Sequence, residues 1–135
     1  MRKIGIGAEG SIHKSFAAMV RQYEAYGKLD CSFWTYSASG EHRSPITGAL
    51  LKAKGLAKGF PDYVFFQKRQ VISAFEAEYD LKVVFIEFKA GKGKQSDSQK
   101  EFQAKFDGLH NARYYLCYSV EEALKALQAE KIIKS

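Results

Sequence analysis

Apolar side chains first recur at helical intervals at Ile12, Phe16, Met19, Val20 and Tyr23, one stripe along a single helix face. Ser11 is placed to cap that helix and Gly27 to stop it. The aromatic run Cys31 to Tyr36 reads as a short strand, and Ser37 to Pro45 as loop. Ala49 to Lys58 is a short, basic piece of helical pattern, broken by Gly55 and Gly59. An apolar strand, Pro61 to Phe66, follows; proline suits a strand's first position because it has no N–H to donate. Lys68 to Asp80 admits two readings, a second helix or a long hairpin connection. Val83 to Lys89 is the clearest strand, and a glycine-lysine loop, Ala90 to Gln95, comes after it. Ser96 starts a helix with Phe102, Phe106 and Leu109 on one face and a stop near Gly108. Arg113 to Tyr118 is a further strand. Ser119 and Glu122 make a capping box for a last helix, whose apolar face is Val120, Ala123, Leu124 and Leu127.

Helix, strands, helix, strand, helix is the order of a small α/β domain in which the last crossover joins parallel strands, right-handed. A chain of 135 residues is one domain's worth, so residues 1–135 are expected to fold as a single unit with a core of its own. The composition, 46% hydrophobic and 27% charged, excludes disorder and fibrous repeats. The densest apolar run, Val83 to Ile86, is far short of the roughly 20 residues of a membrane span. Met1-Arg2-Lys3 leads into no apolar signal region, so the expected location is the cytoplasm. Cys31 and Cys117 form no CxxC pair, which excludes a zinc ribbon, and two reduced thiols are expected.

The net charge of +6 favours a polyanionic partner. Two glycine motifs do not deliver a nucleotide site. Gly5-x-Gly7-x-x-Gly10 has too little chain before it for the strand that a dinucleotide fingerprint requires. Gly91-Lys92-Gly93-Lys94-Gln95-Ser96 lacks the phosphate-loop spacing and reads as a turn.

Asp62, Glu87 and Lys89 carry the chemical signal. Residues two apart share a strand face, so Phe85, Glu87 and Lys89 point one way and Val84, Ile86 and Phe88 the other. A carboxylate and an amine at the end of so apolar a strand are costly to desolvate unless they pair or meet an ion. Taken singly, Glu87 and Lys89 make a strand-end salt bridge and Asp62 a turn carboxylate. If the two apolar strands are neighbours, Asp62 and Glu87 converge into a hard oxygen site suited to Mg²⁺.

Pro61-Asp62 followed by Glu87-Phe88-Lys89 resembles the PD-(D/E)xK nuclease signature. The stretch from Leu51 and Lys52 through Gly55 and Gly59 to Pro61-Asp62 resembles the "LKxxGxxxGxPD" segment of the VRR-NUC family. Ile86 to Lys89, then Gly93-Lys94-x-Ser96-x-x-Gln99, is similar to that family's "IExKxxxGKxSxxQ" segment. Gly40 to Arg43 looks like its "NGxxR" segment, with Ser39 in the asparagine position, and Glu9 and Ile12 could match its first helix, where His13 replaces a glutamine. Standalone domains of this kind look like phage or prophage proteins.

The resemblance implies a restriction-endonuclease-like core, a mixed central sheet flanked by helices. It also implies metal-dependent hydrolysis of DNA phosphodiester bonds, with Asp62, Glu87 and the Phe88 carbonyl holding Mg²⁺ or Mn²⁺ and Lys89 serving the attacking water. Gln99, on the inward face at the start of its helix, is the further catalytic candidate. The third acidic residue is Glu9, or Glu24 if the glycines at 7 and 10 keep the first helix from reaching Glu9. His13 and His42 are read as DNA or site-edge contacts and His110 as surface. Arg43, Lys52, Lys58, Lys92 and Lys94, with Lys54 beside them, flank the site as phosphate contacts, or else as solvated surface charges. With no base-reading pattern in view, the expected substrate is branched DNA, a four-way junction or flap, held by a symmetric homodimer. Two competing readings remain, a non-catalytic nucleic-acid-binding module on the same fold and a structural phage protein.

Overall fold

The computed structural model describes residues 8–37, 45–71 and 76–134. The elements are α1 (Ala8–Ala25), β1 (Phe33–Tyr36), α2 (Pro45–Ala53), β2 (Tyr63–Val71), β3 (Glu78–Phe88), α3 (Asp97–Phe106), β4 (Ala112–Cys117) and α4 (Val120–Ala129). The result is a mixed α/β domain: a four-stranded sheet in the order β1-β2-β3-β4, flanked by helices. β2 runs antiparallel to both β1 and β3, and β4 lies parallel to β3 after the α3 crossover.

The sheet is covered unequally. On one face Phe16 and Val20 of α1 and Ala123, Ala126 and Leu127 of α4 pack on Tyr63, Phe65, Val84, Ile86, Phe88 and Cys117. On the other, Phe102 and Phe106 of α3 meet Phe85 and Phe60, with ring centroids between 4.8 and 6.0 Å apart. The last five residues of β3 are therefore buried from both sides, whereas its first residues are largely exposed. That burial is what makes a charge at the end of β3 expensive.

Several boundaries differ from the sequence expectation. α1 begins at Ala8, so Ser11 lies inside the helix rather than at its cap, and Gly10 is carried within the first turns. Glu9 in the first turn favours this start, because its carboxylate complements the helix's positive end. Gly27 does end the segment: it takes φ +70°, and Lys28 N–H returns to the Tyr23 carbonyl at 2.8 Å. α2 ends at Ala53, before Gly55, and begins earlier than the basic pattern suggested. Within Lys68 to Asp80, residues 68–71 and 78–80 are antiparallel strand and not helix. β2 and β3 pair from Tyr63–Ile86 out to Val71–Glu78 and project beyond both neighbouring strands. Arg69 and Asp80 clasp across this arm at 2.8 Å. Leu109 falls past the end of α3 and is exposed, so only Phe102 and Phe106 serve the core there. Ser119 caps α4, but Glu122 accepts the Tyr118 N–H rather than that of Ser119, so the box is not closed as expected. Cys31 and Cys117 are free thiols.

The chain end is an element that periodicity did not announce. Ile132 and Ile133 are buried, and Asp30 N–H bonds the Ile132 carbonyl at 2.7 Å. Beside them lies a buried ion cluster. Lys82 Nζ sits 2.7 Å from Glu130 Oε1 and 2.8 Å from the Glu130 carbonyl. Arg113 and the Tyr115 hydroxyl reach the other carboxylate oxygen. Burial alone would raise the Glu130 carboxyl, but the bonds from Lys82 and Tyr115 and the charge of Arg113 win and hold it below its ordinary value. Removing one partner of so enclosed a pair leaves an uncompensated charge. Lys82→Met should lower stability by about 3 kcal/mol, read as a reduced urea midpoint at unchanged slope. The stabilisation from Glu130 should also fade as pH drops below about 4.5 toward the folded carboxyl's lower value.

Candidate metal centre

One step beyond the Tyr63–Ile86 pair, the β2–β3 register sets Asp62 opposite Glu87. The two strands are neighbours, and the carboxylates converge at the doubly covered end of the sheet, with Asp62 6% and Glu87 1% exposed. Asp62 Oδ2 accepts the Phe88 backbone N–H at 2.7 Å, which fixes the aspartate against the strand that carries Glu87. An extended residue directs its N–H and carbonyl to the same side, so the Phe88 carbonyl also belongs to the Asp62 side of β3.

Glu87 is the least satisfied group in this cluster. Its Oε1 is buried with no hydrogen-bond partner among the described residues. Burial pushes its carboxyl up to about 9, the hydrogen bonding and charge of neighbouring Asp62 add to that, and Lys89 only partly offsets them. An orphaned buried oxygen beside a second carboxylate is a donor set suited to a hard or borderline divalent cation.

α1 supplies the rest. Glu9 and His13 stand one turn apart on its inner face. His13 Nε2 lies 3.8 Å from Glu9 Oε1 and 3.8 Å from Asp62 Oδ2. Glu9, His13 and Asp62 each offer one ligand atom, all within 4.8 Å of one another, so this group could hold a metal ion. Glu9 is thus the third acidic residue brought to Asp62. Glu24, the other candidate, sits at the opposite end of α1, where its charge and that of Asp30 add to the burial that raises Cys31.

The loops on either side of the sheet end are built around two glycines. Gly59, at φ +84°, runs so close to α3 that a Cβ there would stand 2.3 Å from the Ser98 carbonyl oxygen. The segment entering Asp62 therefore rests directly on the start of α3. Gln99 itself closes a capping box with Ser96, its Oε1 accepting the Ser96 N–H at 2.8 Å, so its oxygen holds the helix start. Gly93 turns the loop back on β3, and a Cβ there would meet the Ala90 carbonyl at 3.0 Å and the Lys89 stem at 3.5 Å. Lys89 is half-buried against this turn. Gln95 Nε2 anchors the same loop to the Tyr114 hydroxyl at 3.2 Å and to Gln103 at 3.0 Å.

Lys52, Lys54, Lys58, Lys92 and Lys94 are all exposed. Arg43 and His42 lie outside the described residues, with the rest of the "NGxxR" segment. His110 is exposed, near Asp80. The member that the sequence reading placed at the edge is His13; its signal was the four-residue spacing from Glu9, which carries weight only once the helix is known to include Glu9. Tyr63 and Tyr114, now seen against the site, had read as ordinary strand residues.

No family model, no curated protein and no solved structure matches this chain. No described helix is long and apolar enough to cross a membrane.

The Glu87 carboxyl gives a pH dependence of definite sign. The folded protein holds this proton more tightly than the unfolded chain does. The contribution of Glu87 to metal-free stability is therefore greatest below about pH 4.5 and declines as pH rises toward about 9. A divalent cation must displace the proton. Calorimetric titration in buffers of different ionisation enthalpy should show about one proton released per cation near neutral pH, with affinity rising until about pH 9. Affinity independent of pH from 6 to 9 would remove Glu87 from the ligand set.

Proposed function

We propose that this protein is a divalent-metal-dependent nuclease that hydrolyses phosphodiester bonds in DNA and is selective for branched substrates. The observation that carries the reading is the convergence of Asp62 with Glu87, whose Oε1 is buried and unpartnered, one residue from the Phe88 carbonyl and two from Lys89. A binding module does not need two buried carboxylates brought together with Lys89 at one strand end. The resemblance to the VRR-NUC segments, and through them to the restriction-endonuclease-like fold and phage proteins, points the same way. The β3–α3–β4 crossover on a mixed sheet is compatible with that fold.

Asp62, Glu87 and the Phe88 carbonyl, with Glu9 and His13 from α1, would hold Mg²⁺ or Mn²⁺. Bound there, the cation would offset charge developing on the phosphoryl oxygens and make a bound water more acidic. The chain's own groups do the remaining work. Asp62, pinned by the Phe88 N–H, sets the register of the ligands. Lys89, braced by the Gly93 turn, presents an ammonium at the rim of the cluster, where it can hold a scissile phosphate and the water that attacks it. Gln99 stabilises the start of α3 against the Gly59 segment. Lys52, Lys58, Lys92 and Lys94 are exposed on the loops and helix end that lead to the cluster, and serve as sequence-independent phosphate contacts. A homodimer in the cytoplasm would double this basic face and present two sites to a junction.

The direct test is incubation with linear, nicked, flapped and four-way DNA in Mg²⁺, Mn²⁺ or EDTA. Cleavage should require the metal and favour the branched forms; cutting that persists in excess EDTA would end the reading. Glu87→Gln should reduce the rate by roughly a hundredfold or more while leaving DNA binding intact or tighter, because it keeps the shape and removes a charge that repels phosphate.

The lysines make a separate prediction. In a catalytically silent background, each of Lys52→Ala and Lys58→Ala should lower the slope of log affinity against log salt by about one on branched DNA. Lys54→Ala should do less. Unchanged slopes would put the DNA path elsewhere on the surface.

A further inference from the structure

The imidazole of His13 is held in a way that a mere edge contact does not need. Its ring is only 17% exposed. Tyr36 and Phe88 meet it edge-on at 5.3 and 5.4 Å, and Tyr63 lies at 5.5 Å. The Tyr63 hydroxyl donates its hydrogen to the His13 backbone carbonyl at 3.2 Å. The same oxygen stands 3.3 Å from His13 Nδ1. A hydroxyl that donates to the carbonyl accepts from Nδ1, and on that basis we assign the N–H to Nδ1. In the neutral ring Nε2 then bears the lone pair.

That lone pair faces two carboxylate oxygens, Glu9 Oε1 and Asp62 Oδ2, each at 3.8 Å. Neither distance is a hydrogen bond. Three acceptors turned toward one point repel one another unless something positive stands between them. Glu87, buried and with an unpartnered Oε1, is next in the same cluster and feels the charges of both Asp62 and Glu9. Ligands bound at about 2.1 Å to one ion stand roughly 3 to 4.2 Å apart, a range that already includes both His13 distances of 3.8 Å.

We propose that Glu9, His13 and Asp62 form a nitrogen-containing metal position that selects a first-row transition ion such as Mn²⁺ or Co²⁺ over Mg²⁺. This deepens the functional reading above by naming the metal class of the same site. Mg²⁺ prefers oxygen ligands and gives up its waters reluctantly, whereas an imidazole nitrogen suits the transition ions. A metal-binding histidine characteristically has its second ring nitrogen hydrogen-bonded, which is the role of the Tyr63 hydroxyl.

The test uses the full chain without DNA, titrated calorimetrically with MnCl₂, CoCl₂ and MgCl₂. Mn²⁺ and Co²⁺ should each bind at least about tenfold more tightly than Mg²⁺, and the Co²⁺ form should show visible ligand-field bands. His13→Gln, similar in reach but offering an amide oxygen, should cut the Mn²⁺-to-Mg²⁺ affinity ratio by about tenfold or more and shift the Co²⁺ bands. His110→Ala should leave both unchanged. Equal affinities in the unsubstituted protein, or an unaltered ratio in His13→Gln, would overturn the proposal. Should His13→Gln not fold, ring-nitrogen NMR of the unsubstituted protein decides: His13 Nε2 should take a metal-bound shift in saturating Zn²⁺. Both ring nitrogens staying protonated would instead make His13 an imidazolium paired with Glu9 and Asp62, and the proposal would fall. Hydrolysis is not measured, so a negative result leaves the nuclease reading untouched, and an inactive protein that binds Mn²⁺ through His13 leaves this one standing.

Discussion

Two carboxyl groups facing each other across neighbouring strands, at the one end of the sheet covered on both sides, set the terms for the surrounding structure. Burial and the facing Asp62 disfavour the charged form of Glu87, and Lys89 offsets them only in part. Asp62 takes a backbone N–H from Phe88, and Lys89 lies close enough to lower the Glu87 carboxyl somewhat. Glu87 Oε1 is left without a hydrogen-bond partner among the described residues. The register of β2 and β3 cannot slip by one residue to relieve this, because the slip would turn Tyr63, Phe65, Val84 and Ile86 out of the core. Hydrophobic packing thus holds the carboxylates in an arrangement they would not adopt alone.

A second buried ion cluster in the same domain shows what a completed network looks like. Glu130 has Lys82, Arg113 and the Tyr115 hydroxyl around it, and its carboxyl is held low despite its burial. Glu87 is buried more deeply, and its carboxyl moves in the opposite direction. The two sites differ in burial and in the supply of partners. At Glu130 the chain finishes the network with its own cations, which suits a structural tie. At Glu87 the missing charge is what a bound cation would bring.

The elements that meet the carboxylates are held by close backbone approaches. Gly59 lets the segment entering Asp62 lie on the Ser98 carbonyl, so α3 and β2 are positioned against each other without a side chain between them. The Ser96–Gln99 capping box makes that helix start rigid enough to serve as a floor. Across the sheet, α1 brings Glu9 and His13 down on Asp62 because Phe16 and Val20, farther along the same face, are anchored in the core. One apolar stripe therefore fixes the depth and rotation of the polar pair ahead of it.

Local pattern determined a good deal by itself. The helical stripe of α1, the glycine stop at Gly27, the alternation in β3 and the Ser96 cap are read from short-range sequence, because each depends on a residue and its near neighbours. The division of β3 into a core face and a face carrying Glu87 follows from strand periodicity alone. What tertiary structure decided was every relation between segments distant in sequence. The start of α1 at Ala8 brings Glu9 rather than Glu24 to Asp62, against the local preference of two glycines. The pairing of 67–71 with 78–82 turned an ambiguous stretch into antiparallel strand. The burial of Ile132 and Ile133 required the chain end to return beside Asp30. The ring and carbonyl of His13 are met by a tyrosine hydroxyl fifty positions away. Propensity acts over a turn or two, whereas burial and hydrogen-bond satisfaction are settled only when the sheet and its helices close on one another.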